Sequence, residues 1–290
     1  MKLPFALARR FVAGETLDDA LPVLGGLLDD GLFLTLDLLG EHVADRARAG
    51  AAADAYADLV GRLADLRDRH GAPPEAVGIS IKLSMIGQVI DRGLCEGHLR
   101  EVLGRARDAD LFVRLDMEGS DLTESSLGLF EAVYPDFPDH VGPVLQAYLH
   151  RTDADVARMV ELGARVRLCK GAYGEPPSIA YQDMPTVRWH YRRLARALLD
   201  RGRYPGIATH DDGLIEAVRH YVGQRGIGRD AFEFQMLYGL RPETQRGLVA
   251  DGYRMRVYVP YGTEWLPYYS RRLRERRENV TFILRNLVRA

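Results

Sequence analysis

Charged and polar residues interrupt the short apolar runs of this chain at one recurring place, close to the C-terminal end of each run. Lys82 sits in Ile-Ser-Ile-Lys-Leu-Ser, Asp116 and Glu118 in Val-Arg-Leu-Asp-Met-Glu-Gly, Arg167 and Lys170 in Val-Arg-Leu-Cys-Lys-Gly, and Thr209, His210 and Asp211 in Ala-Thr-His-Asp. Asp37, Gln146, Gln235 and Tyr258 hold equivalent places in four further runs. Strand interiors tolerate isolated charges poorly. A repeated placement of this kind therefore points to a site for a polar, charged ligand rather than to solvation. Each member also has a plainer reading. Asp37 caps a turn or pairs with a neighbouring cation, Lys82 and Asp116 form a mutual structural ion pair, and Cys169 is a buried inert thiol. Arg167 and Lys170, straddling Cys169 ahead of Gly171, suit a phosphate or pyrophosphate or are surface charges. His210 stands without a partner set of histidines and carboxylates, so metal ligation is not expected.

A second group follows the last run. Arg271 and Arg272 precede Glu275 by three to four residues, a helical spacing that puts them on one face. A paired arginine fork matches a carboxylate, and a solvated basic helix is the alternative. Tyr258, Tyr261, Trp265, Tyr268 and Tyr269 lie just before it and read as helix packing or as the wall of a flat apolar pocket.

The elements that must position these residues alternate in type. Strands are predicted at 33–38, 77–83, 112–117, 144–149, 165–169, 206–208, 232–236 and 255–259, read as near-continuous apolar runs, each followed by a stretch of helical period. Eight βα repeats without a Gly-rich dinucleotide fingerprint favour a closed (β/α)8 barrel over an open sheet. The glycines of 223–228 have the wrong spacing and follow no strand. Helix is expected within 8–28, with Thr16, Asp18 and Asp19 as its start. The loop 174–185 carries three prolines and belongs on the active-site face. A chain of 290 residues with 39 basic and 41 acidic side chains has no field to draw it onto nucleic acid. Two distant cysteines fit a reducing cytoplasm. With no long apolar run, membrane contact is at most peripheral.

In order along the chain, Leu-Asp-Leu-Leu-Gly-Glu-His-Val from Leu36, Ile-Lys-Leu-Ser from Ile81, Arg-Leu-Asp-Met-Glu-Gly-Ser from Arg114, Leu-Gln-Ala-Tyr-Leu from Leu145, Arg-Leu-Cys-Lys-Gly-Ala-Tyr from Arg167, Ala-Thr-His-Asp from Ala208, Glu-Phe-Gln-Met-Leu-Tyr-Gly from Glu233 and the final Arg-Arg-Leu-Arg-Glu resemble the motifs of the proline dehydrogenase family. The resemblance runs from about Arg10 to the C-terminus. It implies an α/β fold, a distorted (β/α)8 TIM barrel with a short N-terminal helical extension (1–31), the whole of 1–290 being one domain. It implies non-covalent FAD, oxidation of L-proline to Δ1-pyrroline-5-carboxylate by hydride transfer, and electrons passed to a quinone. By the same resemblance Lys82, Asp116 and Arg167 form the catalytic set, with Asp116 orienting Lys82 or the cofactor. Arg271 and Arg272 clamp the substrate carboxylate, with Lys82 close by and Glu275 holding an arginine. Tyr173, Leu237 and Tyr258 line the proline ring. Met117, Gln146, Arg167, Lys170, Gly171, Ala172, Thr209, His210 and Gln235 contact the cofactor. The N-terminal arm is shorter than is common in the family and no aldehyde dehydrogenase domain is read, so a stand-alone enzyme is expected. Three alternatives stay open: a Schiff-base lyase using Lys82 or Lys170, a flavin reductase of a related barrel family, and a non-catalytic ligand-binding barrel.

Overall fold

The computed structural model describes residues 5, 8–268 and 270. Eight parallel strands close on themselves in sequence order, β1 (Phe33–Leu38), β2 (Val77–Lys82), β3 (Phe112–Asp116), β4 (Val141–Gln146), β5 (Arg167–Cys169), β6 (Gly206–Ala208), β7 (Glu233–Leu237) and β8 (Arg254–Tyr261), with β8 pairing back onto β1. Helix α1 (Leu17–Asp29) precedes the barrel. The helices α2 (Arg46–Arg69), α3 (Arg92–Asp108), α4 (Ser120–Val133), α5 (Thr152–Leu162), α6 (Met184–Arg201), α7 (Asp212–Arg225) and α8 (Pro242–Ala250) link successive strands. Parallel neighbours require such crossovers, and the expected (β/α)8 barrel is the fold observed.

The strands are not the continuous apolar runs expected from the sequence. They alternate, with the apolar residues outward, as for Leu34 and Leu36, Ile79 and Ile81, Val113 and Leu115, and Val257 and Val259. All of these are buried in one core between sheet and helices. The other parity points into the barrel and is polar: Thr35 and Asp37, Ser80 and Lys82, Arg114 and Asp116, Glu233 and Gln235, Arg256 and Tyr258. Barrel interiors are ordinarily filled by branched aliphatic side chains. Here hydrogen bonds satisfy the interior instead, which removes most of the penalty for burying it. Two inward glycines make the room. A Cβ at Gly142 would lie 2.7 Å from the Arg114 guanidinium, and one at Gly206 would lie 2.4 Å from the Gln235 amide.

Helix starts follow their caps. Thr16 and Asp19 form the reciprocal capping box of α1, and Asp45, Asp91, Asp183 and Asp211 cap α2, α3, α6 and α7. Strand β4 begins and ends three residues earlier than predicted. Its end is set where Thr152 Oγ1 donates 2.6 Å to Gln146 O and turns the chain into α5. The discounted glycines 223–228 lie at the end of α7 and in the turn after it, where Gly226 is a left-handed C-cap. Ala8, Phe11 and Val12 pack with Leu39, Leu240, Trp265 and Tyr268, which places the N-terminal segment beside the C-terminal mouth of the barrel.

Candidate active site

A cavity of about 1040 Å³ opens at the C-terminal ends of the strands, the face on which barrels build their chemistry. It is large enough for a nucleotide-sized ligand, roughly the upper end of the 300–1,000 Å³ usual for such sites. Among the described residues every site position expected from the sequence lines it: Lys82, Asp116, Met117, Gln146, Arg167, Lys170, Gly171, Ala172, Tyr173, Thr209, His210, Gln235, Leu237 and Tyr258. Arg271, Arg272 and Glu275 lie outside the described residues. The loop 174–185 forms part of the wall. It is tied down where Ser120 donates through its backbone N–H (2.8 Å) and hydroxyl (2.6 Å) to Glu175, and where Tyr181 N–H donates 2.8 Å to Tyr148 O.

Pairing within the cavity differs from the simplest sequence reading. Lys82 and Asp116 are register neighbours on β2 and β3, yet they do not pair with each other. Lys82 Nζ donates 2.7 Å to Asp37 Oδ1, both residues being buried. Asp116 accepts from Arg167 (2.8 Å) on one oxygen and from the Tyr258 hydroxyl (2.7 Å) on the other. Asp116 therefore positions Arg167 and Tyr258 rather than Lys82. Lys82 reaches diagonally to Asp37 on the adjacent strand β1, whereas Asp116 meets Arg167 on β5 and Tyr258 on β8 across the barrel interior. Asp37 does pair with a cation, but as part of the cavity wall rather than as a remote structural element.

The electrostatics follow from burial and pairing. Burial pushes the Asp37 carboxyl up to about 6 against the lowering pull of Lys82. Burial opposes charge on Lys82, but the carboxylates of Asp37 and Asp116 outweigh it and raise its pKa. Lys82 is thus held as an ammonium, which is the wrong state for a Schiff-base nucleophile. Asp211 is partly buried, yet hydrogen bonds from Lys170 (2.7 Å) and Arg188 (2.6 Å) hold it down at about 2. One carboxylate thereby gathers two cations at the mouth while its other oxygen caps α7. His210 Nε2 accepts from Leu237 N–H (2.9 Å), so that nitrogen carries no proton. Burial raises the Cys169 thiol to about 11, in keeping with an inert thiol.

The sequence reading missed Tyr148, Arg188 and Glu175 as cavity-wall residues. Tyr148 falls inside the strand expected at 144–149 but lies past the end of β4, Arg188 is on α6, and Glu175 is in the loop 174–185 expected on this face, so none of them is a charge breaking an apolar run. The Glu-Pro-Pro at 175–177 was the available hint of a shaped loop.

This arrangement can be compared with known proteins. The proline dehydrogenase family model matches residues 23–285. The chain belongs to the proline dehydrogenase family. It is 40% identical over 287 residues to a proline dehydrogenase of Deinococcus radiodurans, covering 98% of this chain and 90% of that one. It is 38% identical to proline dehydrogenase 1 of Bacillus subtilis over 97% and 91% of the two chains. Among solved structures, that of proline utilization A from Bdellovibrio bacteriovorus inactivated by N-propargylglycine superposes with a TM-score of 0.87 at 28% identity, over 93% of this chain and 32% of that one. Family membership carries the enzyme class with it, an oxidoreductase that uses a flavin. The residues of the cavity fit such a group. Gln146 Oε1 is buried without a partner among the described residues, an acceptor waiting for a donor from a polar heterocycle. Arg167, Lys170, Arg188 and Thr209 supply donors for an anionic tail.

Proposed function

We propose that this enzyme oxidises L-proline to Δ1-pyrroline-5-carboxylate with a non-covalently held FAD and passes the electrons to a quinone. The observation that carries the reading is the convergence in one cavity of Lys82, Asp116, Arg167 and Tyr258 with the unpartnered Gln146 acceptor. When bound, the flavin supplies the hydride acceptor, at N5. Met117, Gln146, Arg167, Lys170, Gly171, Ala172, Thr209, His210 and Gln235 would hold it. Arg271 and Arg272 would clamp the substrate carboxylate with Glu275 bracing them, a role resting on the family motif. Lys82 and these arginines place positive charge around the amino acid, which favours loss of the ammonium proton before a C=N bond forms. No general base is required, and the aromatic walls keep water from the reacting carbon. We read 1–290 as one barrel domain, with 1–31 as its N-terminal segment, working in the cytoplasm with at most peripheral membrane contact. Among the described residues no helix is long and apolar enough to cross a membrane.

The visible spectrum tests this directly. Purified protein should be yellow, bleach on anaerobic addition of proline, and release free FAD into the supernatant on acid precipitation. A colourless protein that does not take up added FAD overturns the reading.

Substrate choice rests on Tyr258, with Tyr173 and Leu237 completing the ring pocket. The Tyr258 hydroxyl is engaged by Asp116, so its ring is fixed and offers a 4-hydroxyl group on the substrate an apolar face and no hydrogen-bond partner. Proline should therefore be preferred over trans-4-hydroxyproline. Tyr258→Ser should lower kcat/KM for proline by about 10–200-fold, the range for removing packing against a small substrate, and should narrow the proline to hydroxyproline ratio. A stable variant with an unchanged ratio removes Tyr258 from the pocket.

A further inference from the structure

We propose that Glu233, held by Arg256 toward the closed end of the barrel, is a positioning residue that sets the orientation of the Gln235 amide and through it aims the Arg167 guanidinium into the cavity. The inference rests on the flavin-site reading above. Glu233 and Arg256 do not line the cavity, yet both are nearly inaccessible, at 2% and 6% exposed. Arg256 engages the Glu233 carboxylate through Nε (2.7 Å) and Nη2 (3.0 Å), and is itself fixed by donation to Leu34 O (2.8 Å) and Glu75 O (2.6 Å). The Tyr204 hydroxyl donates 3.1 Å to the second Glu233 oxygen. One acceptor direction remains, and the Gln235 Nε2 group donates into it.

The consequence is forced by chemistry. A carboxylate only accepts and a guanidinium only donates. With Glu233 on one side and Arg167 on the other, the Gln235 amide has a single orientation that satisfies both: nitrogen toward Glu233, carbonyl oxygen toward Arg167. In that orientation Gln235 Oε1 accepts 2.5 Å from Arg167 Nε. Arg167 Nη1 is then fixed by Ser80 (3.2 Å) and Asp116 (2.8 Å). Gly206 is part of the device, because any side chain there would displace the Gln235 amide. A buried ion pair adds little stability over apolar packing of the same volume, so a relay built from Arg256, Glu233, Gln235 and Arg167 is better explained by orientation than by stability.

The test uses the flavin-loaded protein and the midpoint potential of its bound flavin. Glu233→Gln puts an amide at 233 that both donates and accepts, so the Gln235 amide is no longer restrained from the Glu233 side and the anchor of Arg167 is loosened. A cation fixed beside the cofactor favours the electron-rich state. Loosening it should shift the two-electron equilibrium about tenfold toward the oxidised side, a fall of about 30 mV. In an Arg167→Lys background, where no planar fork is left to orient, Glu233→Gln should add no further shift. Its effect on melting temperature should persist in both backgrounds. An unmoved potential in Glu233→Gln, or an equal shift in the two backgrounds, overturns the inference. If Glu233→Gln does not fold, Arg256→Lys keeps the charges while giving up the fork; it should lower the potential in the same sense, again only when Arg167 is present, and no change overturns the proposal. A preparation without flavin overturns the underlying site reading and this inference together, whereas bound flavin with an unmoved potential overturns this inference alone.

Discussion

Asp116→Ala should lower kcat/KM for proline on the order of 10²-fold and cost about 3–5 kcal/mol of stability, the range for removing one partner of a buried pair. Among the described residues Asp116 is the only carboxylate that accepts a hydrogen bond from Arg167, and its second oxygen fixes Tyr258. The Arg167 guanidinium carbon also lies 5.4 Å from the Tyr258 ring centroid, so cation and ring are held as one unit. Taking away the carboxylate leaves a buried cation without its counter-charge and a phenol without its acceptor. Displacements of about 1 Å at a reacting centre are enough for the expected rate loss. Asp116→Asn keeps the shape and one acceptor, so it should fall between wild type and Asp116→Ala in both melting temperature and kcat/KM. Steady-state kinetics with thermal melts of the three proteins decide the matter. A stable Asp116→Ala with unchanged kcat/KM would sever Arg167 and Tyr258 from the chemistry.

Lys82→Met should be comparably damaging, with a loss of about 3–5 kcal/mol near pH 8 and little turnover of proline. It should also carry a pH signature. Asp37 is fully buried and its carboxyl already sits up at about 6 with Lys82 beside it. Because Asp37 holds its proton more tightly folded than unfolded, its contribution to stability is complete below about pH 4, the unfolded value. That contribution is lost as the pH rises through about 6. Lys82 is what lowers the Asp37 pKa, so without it the carboxyl titrates at still higher pH and the loss is felt over a wider range. The melting-temperature deficit of Lys82→Met against wild type should therefore shrink as the pH falls from 8 toward 5, where Asp37 takes up a proton and no longer needs a cation. A deficit independent of pH would mean that Lys82 stabilises by packing rather than by neutralising Asp37. Restoring activity would not accompany the restored stability, because Lys82 also supplies positive charge to the amino acid.

The two predictions have a common source in the barrel's interior. A cavity wall of paired charges exists because the strands carry polar residues inward at every second position, and the network below the cavity is an extension of the same pattern. Burial drives the Tyr258 phenol well above its ordinary range, with the Asp116 charge adding to the effect. The ring therefore remains a neutral donor at any working pH. Glu233 shows the opposite outcome from equal burial: burial resists its ionisation, but Arg256, with help from Arg114 and Arg165, brings its carboxyl down to about 2. Whether an interior carboxyl is charged is set by its partners rather than by depth.

Much of this was legible in the residues. The eight βα repeats follow from runs of β-branched residues and intervening helical periodicity, and the start of α1 follows from Thr16 and Asp19, because these signals are local. The ring of polar strand ends also marked the site, since Lys82, Asp116, Arg167, Gln235 and Tyr258 each break an apolar run where a barrel opens. Partnership was not local. Lys82 meets Asp37, 45 positions away, and Arg167 meets Asp116 across 51. Which pairs form depends on the tilt and stagger with which the sheet closes. The inward parity of Arg256 and Glu233 was hidden for the same reason: until the strands close, an alternating residue has two faces and no assigned interior. Tyr148, Arg188 and Glu175 come from a strand's aftermath, a helix and a loop. Sequence carries the chemistry of each side chain and the local element that bears it, whereas closure of the barrel decides which charges share a low-dielectric space and therefore which of them act together.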